Sequence, residues 1–148
     1  MNFIVAKRIR RKEEPFEHLH KDIIPMLREL KKNGILIGLI SNCFSEEAWI
    51  IKKSVLYPYF DAVCLSFEEK LQKPNPAIYN KCLEKLHVQA NDCLYIGDGG
   101  SNELEAAEMI GMKAVQAVWY LKEGTSQPAK RKCEFRQLER PLDVLSII

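Results

Sequence analysis

Three short polar clusters carry residue types that together could handle a phosphoryl group. Ser41-Asn42 ends an apolar run, Lys73-Pro74-Asn75-Pro76 precedes a helical pattern, and Gly97-Asp98-Gly99-Gly100-Ser101-Asn102-Glu103 follows another apolar run. The Ser41 hydroxyl and the Asn42 backbone N–H can donate to phosphoryl oxygens, and Lys73 offers a compact positive charge against the charge in transfer. Mg²⁺ takes near-octahedral oxygen ligands, usually one or two carboxylates completed by waters and phosphate oxygens. Asp98, directly after a strand, suits that role, and Glu103 can orient a bound water or an inner ligand. Gly99 and Gly100 allow a tight loop whose N–H groups can meet anions. Each cluster alone is ordinary, being a turn, a helix start or a cap; their order and placement raise the signal.

The elements that must position these clusters follow from periodicity. Lys21 to Lys32 has Ile23, Leu27 and Leu30 at helical spacing, with Gly34 as terminator. Ile35 to Ile40 is almost wholly apolar and predicts a strand buried on both faces. A helix capped by Ser45 is expected through about Leu56, with Ala48, Ile51 and Val55 inward. Ala62 to Leu65 predicts a second strand. Pro76 opens a helix with Ile78, Cys82 and Leu86 as its stripe. Cys93 to Ile96 predicts a third strand ending at Gly97, Asn102 to Ile110 a helix closed by Gly111, and Ala114 to Trp119 a fourth strand. Pro141 to Ile148 reads as a short terminal helix. Strands alternating with helices imply an α/β, Rossmann-like parallel sheet with flanking helices, and ligands of such sheets bind at the carboxyl ends of the strands.

The 148 residues are ample for one domain, and 22 basic against 20 acidic residues argue against nucleic acid or an anionic membrane surface as partner. No run approaches the ~20 apolar residues of a membrane span. The basic stretch Lys7 to Lys12 reads as a solvated segment, Gly124 to Lys132 as a surface loop, and His18 and His20 as surface side chains. Trp49 and Trp119 sit on apolar runs and are expected to serve packing. Five cysteines without metal-like grouping (Cys43, Cys64, Cys82, Cys93, Cys133) read as buried thiols of a reducing, cytoplasmic compartment.

The three clusters, taken in order, resemble motifs of the haloacid dehalogenase superfamily, in its phosphoglycolate-phosphatase-like branch. Leu36 to Asn42 looks like the second motif, an apolar strand ending in Ser or Thr. Ser66 to Pro76 looks like the third, with its lysine. Tyr95 to Glu103 looks like the fourth, an acidic pair on a loop, and Ala106-Ala107 through Gly111-Met112 fits the helix and turn beyond it. The resemblance covers roughly residues 20 to 122. It implies a Mg²⁺-dependent phosphatase-type hydrolase acting on a small phosphorylated metabolite. Ser41 and Lys73 would serve catalysis, Ser41, Asn42 and Lys73 substrate binding, and Asp98 and Glu103 the metal.

One departure bears on activity. The family's first motif, an apolar strand followed by Asp-x-Asp, supplies the nucleophile that becomes an aspartyl-phosphate. Only Asp22 precedes Ser41 here, without a second Asp beside it, and Phe3-Ile4-Val5-Ala6 runs into Lys7-Arg8. The resemblance therefore implies a core fragment, catalytically incomplete alone, with the alternative of a non-catalytic binding or interaction module on the same fold. In the family the first strand is central to the sheet. Its slot is expected to be filled by residues 2–6, closed by its neighbours, or supplied by a complementing chain or second copy. Residues 1–20 are expected to form a basic segment, a possible cap remnant, and residues 21–148 the core. Lys70 stands where the family commonly has glycine.

Overall fold

The computed structural model describes residues 2–6, 19–121 and 130–148. The run Lys7 to Lys12, His18 and the loop residues Gly124 to Ala129 lie outside them. Six strands form one parallel sheet in the order β3-β2-β1-β4-β5-β6. They are β1 (Asn2–Ala6), β2 (Ile37–Ser41), β3 (Ala62–Leu65), β4 (Cys93–Gly97), β5 (Lys113–Ala117) and β6 (Arg136–Leu138). The helices are α1 (Ile23–Lys32), α2 (Ser45–Lys53), α3 (Ser66–Glu69), α4 (Pro76–Leu86) and α5 (Glu103–Ile110).

The central slot is filled from within the chain. β1 pairs with β2 over Phe3 to Ala6 and with β4 over Asn2 to Val5. Both neighbours are buried along their whole length, so an empty slot would leave two rows of backbone N–H and C=O groups without partners. β2, β1 and β4 thereby run side by side toward the end that carries Ser41 and Gly97.

Alternate side chains of each strand serve opposite layers. Ile37, Leu94, Ile96 and Val115 join α1 and the C-terminal 3₁₀ turn (Pro141–Ser146), while Ile40, Cys64, Tyr95 and Ala114 pack with α4 and α5. α1 buries Ile23, Met26, Leu27 and Leu30 and ends before Gly34. α4 begins at Pro76, with the Asn75 side chain accepting the N–H of Ala77.

Several expectations are corrected. α2 stops at Lys53 rather than near Leu56, because the Ser54 hydroxyl turns back to the Ile51 carbonyl and Ser54 itself is extended. Val55 is therefore exposed, and Trp49 is exposed too, with the Lys53 ammonium over its ring. Cys133 is exposed, whereas the other four cysteines are buried. His20 is half-buried rather than a free surface side chain: its Nδ1 accepts the Asp22 N–H and lies 3.8 Å from the Asp22 carboxylate. β6 is an element that periodicity did not announce. Among the described residues no helix is long and apolar enough to cross a membrane.

Lys70, at the end of α3, adopts the left-handed conformation with φ of 58°, the one a glycine takes freely. Its ammonium lies over the Phe67 ring, 4.8 Å from the centroid. Lys70→Gly and Lys70→Ala both lose that contact, but only alanine keeps the strain. The glycine variant should be the more stable by about 1 kcal/mol, or ~2–4 °C in Tm. Equal melting temperatures for the two would contradict the reading.

Candidate functional site

The site is built where β2, β3 and β4 end. Its centre is a buried ion pair: Lys73 Nζ donates to Glu103 Oε2 at 2.8 Å, with both side chains only 3% exposed. The Tyr95 hydroxyl donates to the same oxygen at 2.9 Å, and the Gly99 N–H donates to Oε1 at 3.0 Å. The Tyr79 hydroxyl, from α4, reaches the Glu103 carbonyl. Gly97 lies directly beneath, where a Cβ would overlap the Glu103 carboxylate. Burial pushes the Glu103 carboxyl up and Asp98 adds to it, while Lys73 and the Gly99 N–H pull it back. Burial and the adjacent Glu103 hold the Tyr95 phenol well above its ordinary value, so it remains a protonated donor.

Asn42 fixes the lysine from the other side. Its Oδ1 accepts the Lys73 N–H at 2.9 Å and its Nδ2 donates to the Lys73 carbonyl at 3.0 Å. One amide thus grips both backbone groups of Lys73. Ser66 stitches the neighbouring loops together, its hydroxyl accepting from the Cys43 N–H and donating to the Cys43 carbonyl. Ser41 is the last residue of β2 and fully buried. Burial raises the Cys43 thiol, which keeps it a weak nucleophile.

Asp98 follows β4 and is partly exposed. Its Oδ1 accepts the Gly100 N–H at 2.9 Å, and its other oxygen has no hydrogen-bond partner among the described residues. One open carboxylate oxygen, completed by waters and phosphate oxygens, is a donor set that suits Mg²⁺. Glu103 already holds three donors, so it sits behind Asp98 and braces the loop. Among the described residues no three His, Cys, Asp or Glu side chains gather as a metal cage.

Sequence reasoning overlooked Gln116, fully buried in β5. Its Nε2 donates to the Asp98 carbonyl at 2.9 Å and the Lys130 carbonyl at 2.7 Å, and its Oε1 accepts the Lys132 N–H at 2.8 Å. The available signal was one amide inside the run Ala114-Val115-Gln116-Ala117-Val118.

A family model described as haloacid dehalogenase-like hydrolase matches residues 2–111. The chain belongs to that family. N-acylneuraminate-9-phosphatase of Rattus norvegicus is 32% identical over 133 residues, covering 87% of this chain and 53% of that protein. Glyceraldehyde 3-phosphate phosphatase of Methanopyrus kandleri is 24% identical over 135 residues, covering 87% and 56%. The chain thus spans about half the length of the curated relatives it matches. A HAD phosphatase from Thermococcus onnurineus superposes with a TM-score of 0.75 at 23% identity, covering 88% of this chain and 58% of that one. A 2-haloacid dehalogenase from Pseudomonas syringae gives 0.70 at 21%, covering 88% and 53%. At that identity the structural likeness concerns the fold, and phosphatases and dehalogenases share it.

The Asn42 clamp generates a pH test. In Asn42→Asp the ionised carboxylate faces the Lys73 carbonyl without a hydrogen to donate, whereas the protonated form can donate there and still accept the Lys73 N–H. The folded state therefore favours protonation, which raises the introduced carboxyl above its unfolded value near ~4. The variant's deficit against wild type should be largest at pH 7 and shrink as pH falls through that raised value. Denaturant unfolding at pH 7 and pH 5 checks this, and a deficit independent of pH would contradict it.

Proposed function

We propose that this chain is a phosphoryl-binding core of the haloacid dehalogenase type that binds a small phosphorylated metabolite with Mg²⁺ but does not turn it over alone. The observation that carries the reading is the central strand. β1 occupies the slot between β2 and β4, and Ala6, its last residue, lies alongside Ile40, one residue before Ser41. Neither Ala6 nor any residue before Glu13 is acidic, so the strand beside Ser41 brings no carboxylate that could become an acyl phosphate.

What remains is suited to binding. Among the described residues Lys73 uses one of its three N–H groups on Glu103, which leaves two for an anion. The Asn42 backbone N–H can add a donor, with the Asn42 side chain reserved for Lys73. Asp98 would hold Mg²⁺, which supplies charge neutralisation to a bound phosphoryl group. The relatives named above include an N-acylneuraminate-9-phosphatase and a glyceraldehyde 3-phosphate phosphatase, which have in common a phosphoryl group on a small metabolite. A binding module on this fold is favoured by the same observation, since β1 completes the sheet without a strand from elsewhere.

Two assays on the 148-residue chain test the reading. With Mg²⁺, p-nitrophenyl phosphate should be hydrolysed no faster than in buffer, while tungstate, a phosphate mimic, should bind in isothermal titration. Removing one partner of the buried pair would cost about 3–5 kcal/mol, so the binding control is Lys73→Met with Glu103→Gln, which removes both charges together. That double variant should remain folded and lose tungstate binding. Turnover that disappears in Asp98→Asn would overturn the proposal of an incomplete site, and unchanged tungstate binding in the double variant would overturn the assignment of Lys73.

A further inference from the structure

Asp98 is held at two points. The Gly100 N–H fixes its carboxylate, and the Gln116 side chain, from β5, fixes its carbonyl. Gln116 is a fully buried amide with every strong hydrogen-bonding capacity in use. Besides Asp98 it holds the Lys130 carbonyl and the Lys132 N–H, and Gln137 of β6 donates to its Oε1 at 3.3 Å. The loop above is shaped to this side chain. Gly99 has φ of 96°, and a Cβ there would stand 2.9 Å from Gln116 Nε2. The segment held by the same amide is also tied to α5, through the ion pair of Lys132 with Glu105.

We propose that Gln116 is a positioning residue for the cation site, setting the place of Asp98 and coupling it to residues 130–132. The proposal rests on the reading that Asp98 meets a divalent cation, and goes beyond it by naming the buried side chain that governs affinity. The donor pattern explains the residue type. Two carbonyl oxygens, of Asp98 and Lys130, converge on one NH₂ group, while one oxygen accepts from Lys132 and Gln137. Only an amide offers two donors and an acceptor at that point. Glutamate would set a carboxylate against two carbonyls, and methionine would leave both carbonyls without a donor. In either case the Asp98–Gly99 peptide is released at the position that aims the carboxylate. Outer partners of metal ligands commonly govern affinity by ~10–100-fold.

The test is Mn²⁺ binding to the 148-residue chain, read by electron paramagnetic resonance of the free ion. It compares wild type, Asp98→Asn, Gln116→Met, Gln116→Glu and Val144→Ala. Val144 is fully buried in the C-terminal 3₁₀ turn, in the layer with α1, and serves as a control for lost stability away from the loop. Asp98→Asn should abolish binding, both Gln116 variants should weaken it at least ~10-fold while folded, and Val144→Ala should leave it within twofold. Loss in Asp98→Asn with wild-type affinity in either Gln116 variant would overturn the role of Gln116 and spare the cation site. No difference between wild type and Asp98→Asn would overturn the cation reading and this proposal with it. Should both Gln116 variants fail to fold, the wild-type side-chain amide resonances of Gln116 decide: they should shift on Mg²⁺ addition, and resonances unmoved at saturation would overturn the proposal.

Discussion

The buried pair of Lys73 and Glu103 is the interaction on which the rest of the site depends. Two charges removed from water are tolerated only where geometry and further hydrogen bonds compensate the lost hydration. Much of what surrounds them supplies that compensation. Tyr95 and the Gly99 N–H complete the carboxylate, Asn42 holds the lysine backbone, and Gly97 has no side chain because the carboxylate lies against it. The strands contribute rigid ends: β4 brings Tyr95 and Gly97, and β2 delivers Ser41 with Asn42 just after it. The parallel sheet thus joins groups that are about thirty residues apart in sequence.

Much of this was legible in the sequence. Five of the six strands are preceded by expectation, because buried parallel strands read as apolar runs and Gly or Pro marks their boundaries. The helices α1, α4 and α5 fall within two residues of their predicted bounds for the same reason. Ser41, Asn42, Lys73, Asp98 and Glu103 do converge on one end of the sheet, as strand order requires. β1 was recognisable as strand-like, but its place depended on two distant partners that no local pattern contains.

What escaped notice has a physical reason in each case. β6 is three residues long, with one exposed, one half-buried and one buried, too short for any period to register. Val55 and Trp49 are apolar yet exposed because α2 covers the sheet with few residues and ends early at Ser54. Gln116 hides inside an apolar strand, and its partners come from three segments. The second function of Asn42 was equally invisible, since a residue that could offer its N–H to an anion proves to spend its side chain on Lys73.

The proposed function has this chain hold a phosphoryl group without a carboxylate to accept it covalently. A crystal structure of the chain soaked with tungstate and Mg²⁺ tests both halves at once. Tungstate is expected beside Lys73 and Ser41, with no carboxylate of the chain in bonding position to the tungsten. Tungstate bonded to a carboxylate oxygen, or bound only away from Lys73, would contradict it.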